Sequence, residues 1–138
     1  MKSTQERQDI KNRNDIFLLV STFYGKVRKD ALLGPIFNGV ITDWKHHLEH
    51  LTDFWETNLF FAKTYKGNPI EKHIEVDKKF DGKINELHFG TWINLWYQTI
   101  DALFEGETAQ IAKNRARNMA SHIHIHIFQA RNKGVNEV

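Results

Sequence analysis

Apolar side chains recur every three or four residues along most of the chain, which is the spacing that places them on one face of an α-helix. This pattern predicts four long helices, over residues 14–29, 43–63, 87–104 and 108–131. Apolar and polar residues alternate over residues 122–127, but that stretch continues the helical stripe of the last predicted helix. The pattern therefore predicts an all-α domain.

Glycine, proline and a capping residue mark the expected ends of these helices. The Gly-Pro pair at residues 34–35 interrupts the chain after the first helix, because proline cannot continue a helix. Asp43 is the expected N-cap of the second helix, and Gly106 is expected to end the third. Residues 64–86 carry a weaker pattern and are predicted to form a loop with a short helix over residues 70–74. Long irregular segments of this kind often carry function.

Length and charge limit the domain organisation. The 138 residues fit one domain, predicted over residues 1–138, in which residues 1–13 form a flexible or pre-helical N-terminal extension. The formal net charge is +2 and the two signs are mixed along the chain, so no nucleic-acid partner is expected. No stretch approaches the ~20 apolar residues of a membrane span, and residues 1–15 have no apolar segment typical of a signal peptide. A cytoplasmic protein without a membrane partner is expected.

The chain contains no cysteine. This excludes disulfides, thiolate metal sites and cysteine nucleophiles, and it excludes haem attached through C-x-x-C-H. A glycine-rich phosphate loop, the G-x-S-x-G motif and a convincing carboxylate pair are also missing. Eight histidines and a large set of aromatic residues, ten Phe, four Trp and three Tyr, remain as the candidate chemistry.

Two histidines lie where they could serve a cofactor or its ligand. His73 lies on the predicted short helix between Ile70 and Ile74, and neutral imidazole is the ligand by which globins hold haem iron. The alternative is an exposed loop histidine. His47 projects from the inner side of the second helix, one turn before Leu51, where it could donate to a ligand or swing as a gate. The alternative is a partly buried histidine bonded to water.

Two aromatic residues carry polar atoms on apolar helix faces. Tyr24 lies on the apolar face of the first helix, and a buried phenol usually needs a hydrogen-bond partner. Trp92 on the third helix likewise needs an acceptor for its indole N–H, if it is buried. The alternatives are a tyrosine whose hydroxyl reaches the surface and a tryptophan that belongs to the ordinary core.

A histidine-bound metal in a helical bundle without haem is an alternative interpretation. His46, His47 and His50 have the three- and four-residue spacings that place two ligands on one helix face, and His122 and His126 share a face as well. In the first group, His47 stands where the glutamate of H-E-x-x-H would be, so a hydrolytic zinc site is poorly supported. Adventitious metal binding is expected of both groups rather than a dedicated site.

Several stretches of the chain, taken in order and with their spacing, resemble the truncated haemoglobins, and most closely the group III class. Together they cover roughly residues 14–130, nearly the whole chain. The tandem glycine motifs typical of groups I and II are absent. The stretches are FYGKVRKD at 23–30 with LGPIF at 33–37, DWKHHL at 43–48 with DFW at 53–55, YKGNPI at 65–70 followed by His73, HFGTWI at 88–93, and AK, RA and MA between 112 and 120.

The resemblance implies a shortened globin, in which a two-over-two helical sandwich holds haem b. By motif position, it implies His73 as the proximal iron ligand and Tyr24 as the distal tyrosine that donates to the bound ligand. It also implies His47 as the distal histidine and Trp92 as a pocket-wall residue whose indole faces the ligand. The implied apolar lining of the pocket is Phe37, Leu51 and Phe54.

The segment from His73 to Trp92 departs from the family pattern. It is several residues longer than usual, and residues 76–82 are more polar than expected. His88 in this segment is a rival candidate for the iron ligand, but it falls at the start of a predicted helix, one turn before Trp92. His73 is therefore the expected ligand.

The expected function is binding of oxygen, nitric oxide or carbon monoxide at haem iron. Fixed donors in a dry pocket stabilise partial negative charge on such a ligand and slow its release. The same donors could serve nitric oxide dioxygenation or peroxide chemistry, with electrons from a separate reductase, because the sequence contains no flavin or nicotinamide domain. A haem-free helical bundle with a structural or histidine-metal role is the alternative.

Overall fold

The computed structural model describes residues 6–61, 73–75, 77 and 84–136, and the side chains of residues 131–136 are outside that description. These described ranges contain no strand, and residues 73–75 and 77 have helical backbone. None of the helices in the described part of the chain is both long and apolar enough to cross a membrane. Five helices have defined bounds: α1 Arg13–Lys29, α2 Gly34–Val40, α3 Trp44–Phe60, α4 Glu86–Leu103 and α5 Glu107–Asn136.

The long helices follow the predicted ones closely, but the second ends early. α3 ends at Phe60 because Phe61 has a left-handed backbone with φ 60°, and its N–H donates to the carbonyl of Thr57. Asp43 is the N-cap of α3, as predicted, and its carboxylate accepts from the backbone N–H of His46 at 3.1 Å. The start of this helix could be predicted from a local capping motif, whereas its end depends on a single backbone conformation.

The short helix α2 was not predicted. The Gly-Pro pair was expected only to interrupt the chain, but Pro35 occupies the first turn of a helix, where its missing N–H costs no hydrogen bond. Gly34 is needed because a Cβ there would lie 2.7 Å from the carbonyl oxygen of Arg28. The pair therefore ends one helix and begins the next, and α2 carries Phe37 toward the candidate site.

The prediction that Gly106 ends the third helix is wrong. α4 ends at Leu103, and the N–H of its C-cap, Phe104, donates to the carbonyl of Ile100 at 2.7 Å. Gly106 instead has a φ of +150°, which favours glycine, and a Cβ there would collide with the side chain of Asp9. Position 106 therefore requires glycine because Asp9 packs there against the start of α5 and leaves no room for a side chain.

The segment before α1 is anchored to the start of α5. The carboxylate of Asp9 accepts from the backbone N–H groups of Thr108 and Ala109, both at 2.8 Å, so it caps a helix from a distant part of the chain. Ile10 beside it is only 2% exposed. The described residues before α1 therefore pack against the start of α5.

The ring of Trp96 on α4 lies at the centre of the core and is fully buried. It stacks on Trp55 at 4.8 Å between centroids and meets Phe23 edge-on at 4.9 Å. Its indole N–H donates to the carbonyl of Ala112 at 3.2 Å, so the buried polar atom is satisfied. Because these partners lie on α3, α1 and α5, one side chain joins four helices.

The last helix approaches the core through small side chains. Ala109, Ala112, Ala116 and Ala120 follow one another at helical spacing and are at most 7% exposed, which lets the helices pack closely. The pair α1–α3 packs on the pair α4–α5 through contacts of α1 with α4 and of α3 with α5. The molecule is therefore built as two helices over two.

Replacing Asp9 by alanine is expected to destabilise the protein by about 1 kcal/mol, because the first N–H groups of α5 lose their acceptor. Urea unfolding measures this difference. Glu6→Ala is the control, since Glu6 is an exposed carboxylate in the same segment. Equal losses of stability in the two variants would contradict the capping role of Asp9.

The stabilisation by Asp9 is expected to depend on pH. Burial opposes its ionisation, but hydrogen bonds from backbone N–H groups, first those of Thr108 and Ala109, outweigh burial and hold the pKa of Asp9 below its ordinary 3.8. A carboxylate with a lowered folded-state pKa stabilises the protein above the unfolded-state pKa, and this is lost as the pH falls through the folded-state value. The stability difference between wild type and Asp9→Ala should therefore be full near neutral pH and shrink below about pH 4.

Candidate functional site

A cavity between the helices brings the predicted site residues together. It has a volume of about 200 Å³ and opens to solvent. The side chains come from α1, α2, α3, α4 and the helical turn at residues 73–75, so only the folded chain collects them. All seven of the predicted site residues line it, namely Tyr24, Phe37, His47, Leu51, Phe54, His73 and Trp92.

Tyr24 and Trp92 form a hydrogen-bonded pair in the cavity wall. Tyr24 is 6% exposed, and its hydroxyl shares a hydrogen bond with the Trp92 side chain. An indole N–H can only donate, so the hydroxyl oxygen is the acceptor and the O–H of Tyr24 can donate to a third group. Phe23 contacts both rings edge-on, at 4.7 Å from Tyr24 and 5.4 Å from Trp92, and so fixes their relative position.

Burial keeps the polar groups of the cavity neutral. It raises the pKa of Tyr24 to about 12, although the hydrogen bond with Trp92 opposes the shift. Burial also lowers the pKa of His47 to about 4, and neighbouring imidazoles, first that of His50, lower it further. Desolvation disfavours the charged form of each group. Near pH 7 the cavity therefore presents a phenol donor and a neutral imidazole with one donor and one acceptor.

The ring of Trp44 packs against both Tyr24 and His47, and Arg28 packs on Trp44; this arrangement of Trp44 and Arg28 is called the brace. The centroid of the Trp44 ring lies 5.9 Å from Tyr24 and 5.6 Å from His47, and the centroids of Tyr24 and His47 are 5.8 Å apart. The Arg28 guanidinium lies over Trp44 at 4.5 Å, and Arg28 Nε donates to Asn38 at 3.2 Å. Sequence reasoning missed this brace, because its members lie on two helices and show no common spacing.

His73 lines the cavity from the helical turn at residues 73–75, and its side chain is exposed. Burial lowers the pKa of His47 most, followed by the imidazoles of His50 and His46 on α3, and the charge of His73 lowers it further. His47 and His73 therefore lie close enough to interact electrostatically. The remainder of the predicted loop helix, residues 70–72, lies outside the described residues. The same holds for most of the polar stretch 76–82, of which only Asp77 is described.

His88 lines the cavity as well, but its ring is engaged in capping α4. The backbone N–H of Asn85 donates to His88 Nδ1 at 3.1 Å, within a capping box at the start of α4. The same Nδ1 lies 3.1 Å from Asn85 Oδ1, so Asn85 holds the neutral ring at the start of α4, whichever nitrogen carries its proton. Burial lowers the pKa of His88, which favours this neutral ring.

The interpretation of the histidine groups as a metal site receives no support. The rings of His46 and His50 stack at 6.5 Å, but nowhere among the described residues do three His, Cys, Asp or Glu side chains group so as to hold a metal ion. His126 Nδ1 donates to the carbonyl of His122 at 2.8 Å, so this pair engages the backbone of its own helix.

One wall of the cavity was not predicted. The apolar pattern assigned its residues to the packing face of the last helix, and a residue that packs on a helix looks the same in a sequence as one that faces a cavity. His50 also lines the cavity, although it was considered only as a metal ligand. The missed residues of α5 are Met119, Ala120, Ile123 and Ile127.

Comparison with known proteins identifies close relatives, although no protein-family model matches the chain. The chain is 32% identical over 115 residues to a group 3 truncated haemoglobin of Campylobacter jejuni, which covers 80% of this chain and 87% of that protein. The crystal structure of a group III truncated haemoglobin from Campylobacter jejuni matches with a TM-score of 0.79 and 30% identity, over 88% of this chain and 95% of that chain.

A second solved structure supports the fold alone. It is the 2/2 haemoglobin from Synechococcus in the cyanomet state and with covalently attached haem. It matches with a TM-score of 0.68 and 17% identity, over 87% of this chain and 94% of that chain.

Removing the ring of Trp44 is expected to release His47 from its buried position. In Trp44→Leu the imidazole gains access to water, so the pKa of His47 should rise from about 4 toward 6.5, as measured by NMR titration of its ring protons. Trp44→Phe keeps an aromatic contact and should stay closer to the wild type. Tyr97→Leu, which removes the cation–π pair with Lys113, is the control. A His47 pKa that remains near 4 in Trp44→Leu would contradict the brace.

Proposed function

The chain belongs to the group III truncated haemoglobins, and from this premise we propose that its cavity holds haem b with His73 as the proximal iron ligand. As a member of this family it is a haem-binding globin with a two-over-two helical fold. The observation that carries the residue assignments is the meeting, in one cavity, of His73 with the hydrogen-bonded pair of Tyr24 and Trp92.

The residues present fit a haem group. Aliphatic and aromatic side chains from five parts of the fold line the cavity, as an apolar macrocycle requires. Phe37, Leu51 and Phe54 contribute to these walls and would exclude water from the bound group. The ring of His88 is already engaged by the capping box at the start of α4, which favours His73 as the iron ligand. With no cysteine in the chain, the thioether attachment of haem is excluded.

Haem, when bound, supplies an iron that takes a diatomic ligand such as oxygen, nitric oxide or carbon monoxide. The contribution of the chain is a set of fixed donors. Trp92 donates to the oxygen of Tyr24 and thereby directs the O–H of Tyr24 toward the cavity. Neutral His47 offers a further N–H in the same space. Donors that are oriented in advance stabilise partial negative charge without reorganisation, so we propose that they slow ligand release.

A redox function would need a further component. Nitric oxide dioxygenation or peroxide chemistry at this site would draw on the same donors and on electrons from a separate reductase. That partner, like the cytoplasmic location, stays a prediction from the sequence. The proposal therefore centres on diatomic-ligand binding.

The first test concerns the proximal ligand. His73→Ala is expected to lose haem or to change its axial ligation, because it removes the proposed iron ligand. His88→Ala is the control and should keep the wild-type spectrum. Absorption spectra of the oxidised, reduced and carbon monoxide forms measure both. An unchanged spectrum for His73→Ala together with an altered one for His88→Ala would move the ligand to His88.

The second test concerns the distal donor. Tyr24→Phe removes a hydrogen bond worth ~1.5–3 kcal/mol if it is made to a charged group. At about 1.4 kcal/mol per factor of ten, oxygen release should accelerate by roughly 10- to 100-fold in stopped-flow measurements. Trp92→Phe should show a smaller acceleration, since Tyr24 keeps its hydroxyl but loses its orienting partner. Phe54→Leu alters the wall without removing a donor and is the control.

An unaltered oxygen dissociation rate in Tyr24→Phe would show that this hydroxyl does not face the ligand. An equally large acceleration in Phe54→Leu would attribute the effect to the shape of the cavity instead of to the lost hydrogen bond.

A further inference from the structure

Three of the four tryptophans form a continuous stack through the core. Trp92 and Trp96 lie one turn apart on α4, and their rings are parallel to within 6° with centroids 6.0 Å apart. Trp96 in turn stacks on Trp55 of α3, at 4.8 Å between centroids and 23° between planes. Both separations are within the range of direct contact between aromatic rings. We call Trp55, Trp92 and Trp96 the indole stack.

The indole stack begins and ends at the cavity. Trp92 and Trp55 line the cavity, whereas Trp96 between them is fully buried and is not a lining residue. Indole and phenol are the aromatic side chains that lose one electron most readily, and direct ring contact lets an electron pass between neighbouring rings. The stack is therefore placed to give an electron to an oxidised group held in the cavity.

The surroundings of Trp96 suit a ring that has lost an electron. Such a ring is a cation, and a buried cation is costly unless its neighbours compensate the charge. Trp96 contacts two other indole rings, whose electron-rich faces attract a cation. Its N–H donates to the carbonyl of Ala112 at 3.2 Å, and this hydrogen bond strengthens when its donor is charged. Positive charge on the stack is therefore best stabilised at Trp96.

Two aromatic rings at the edge of the core have the opposite surroundings. The guanidinium of Arg28 lies 4.5 Å from the centroid of Trp44, the tryptophan outside the stack, and Lys113 Nζ lies 5.6 Å from that of Tyr97. A nearby positive charge makes it harder to remove an electron from a ring. These are the two cation–π pairs in the described part of the chain, and neither involves the indole stack. An electron is therefore lost more readily from the stack than from Trp44 or Tyr97.

We propose that the indole stack is an internal electron donor when hydrogen peroxide reacts at the bound haem. The O–O bond breaks, one oxygen leaves as water with both hydrogens of the peroxide, and the other oxygen stays with the haem. This step takes two electrons. One comes from the ferric iron and the other from the indole stack, which leaves a cation radical on Trp96 that keeps its N–H proton. The inference rests on the proposed binding of haem in this cavity.

The stack gives the chain a function beyond ligand binding. A single molecule of peroxide is reduced without a reductase, and the resulting radical is held in the closed core, away from the rings at its edge. Each protein molecule supplies one electron in this way, so a repeated reaction would still draw on an external reductant.

The competing role of the indole stack is core packing alone, because large flat rings fill a core well. Trp96→Phe separates the two roles, since a phenyl ring still packs in the core but is much harder to oxidise than an indole. Tyr97→Phe is the matched control. It removes an oxidisable ring next to Trp96 in the chain but outside the indole stack.

The experiment mixes the haem-loaded ferric protein with an equimolar amount of hydrogen peroxide and records electron paramagnetic resonance spectra of rapidly frozen samples. The wild type should give an organic radical whose spectrum changes when the tryptophans carry ring deuterium but not when the tyrosines do. In Trp96→Phe the yield of this radical should fall about tenfold, which corresponds to ~1.4 kcal/mol in its stability. Tyr97→Phe should keep the wild-type yield.

The outcomes separate this inference from the proposed function. If the wild type binds haem and carbon monoxide but gives no tryptophan radical, or if Trp96→Phe keeps the wild-type yield, the electron-donor role is overturned and haem binding stands. A radical that responds to deuterium on tyrosine instead would place the oxidation on a phenol such as Tyr24 and would also overturn the role. A protein that binds no haem overturns both.

Trp55→Phe covers the case in which Trp96→Phe does not fold. It shortens the stack at one end and leaves Trp96, its contact with Trp92 and its hydrogen bond to Ala112 in place. The tryptophan radical should still form but decay faster, because Trp55 no longer shares its charge. A radical with the wild-type lifetime would contradict a role of the stack in holding that charge.

Discussion

Phe23 fills the contact between α1 and α4, where it is fully buried and meets three other rings edge-on at 4.7–5.4 Å: those of Tyr24, Trp92 and Trp96. The packing of this ring determines how far apart the two helices lie. That distance in turn decides whether the indole N–H of Trp92 can reach the hydroxyl of Tyr24. The pairing of Tyr24 with Trp92 is therefore a product of core packing, and a close-packed core transmits a change of a single methylene.

Desolvation shifts the pKa values of Tyr24 and His47 in opposite directions, but it keeps both groups uncharged. It raises the pKa of Tyr24 to about 12 and lowers the pKa of His47 to about 4. Each group is thereby kept neutral over a wide range of pH. Because the apolar cavity excludes water, it keeps the phenol and the imidazole in their neutral forms. Both groups can then donate a hydrogen bond to an uncharged diatomic ligand.

The helices could be predicted because a helix that buries one face needs apolar residues every three or four positions, and this requirement is written locally in the chain. α2 escaped the pattern because its 7 residues are too few to show a period. The role of Gly106 was misjudged because the demand for glycine comes from Asp9, nearly a hundred residues earlier. Site residues were predicted through resemblance to a family, whereas their individual spacings left ordinary alternatives open.

The sequence by itself determined the all-α class and the bounds of the long helices to within a few residues, whereas the seven side chains that line one cavity were predicted only through resemblance to a family. The tertiary structure alone decided that His88 uses Nδ1 to cap α4, that Arg28 and Trp44 brace His47, and that Asp77 is buried. The physical reason is the range of the interactions. Helical periodicity is a property of neighbouring residues, whereas burial and hydrogen-bond partners arise between segments that meet only after folding.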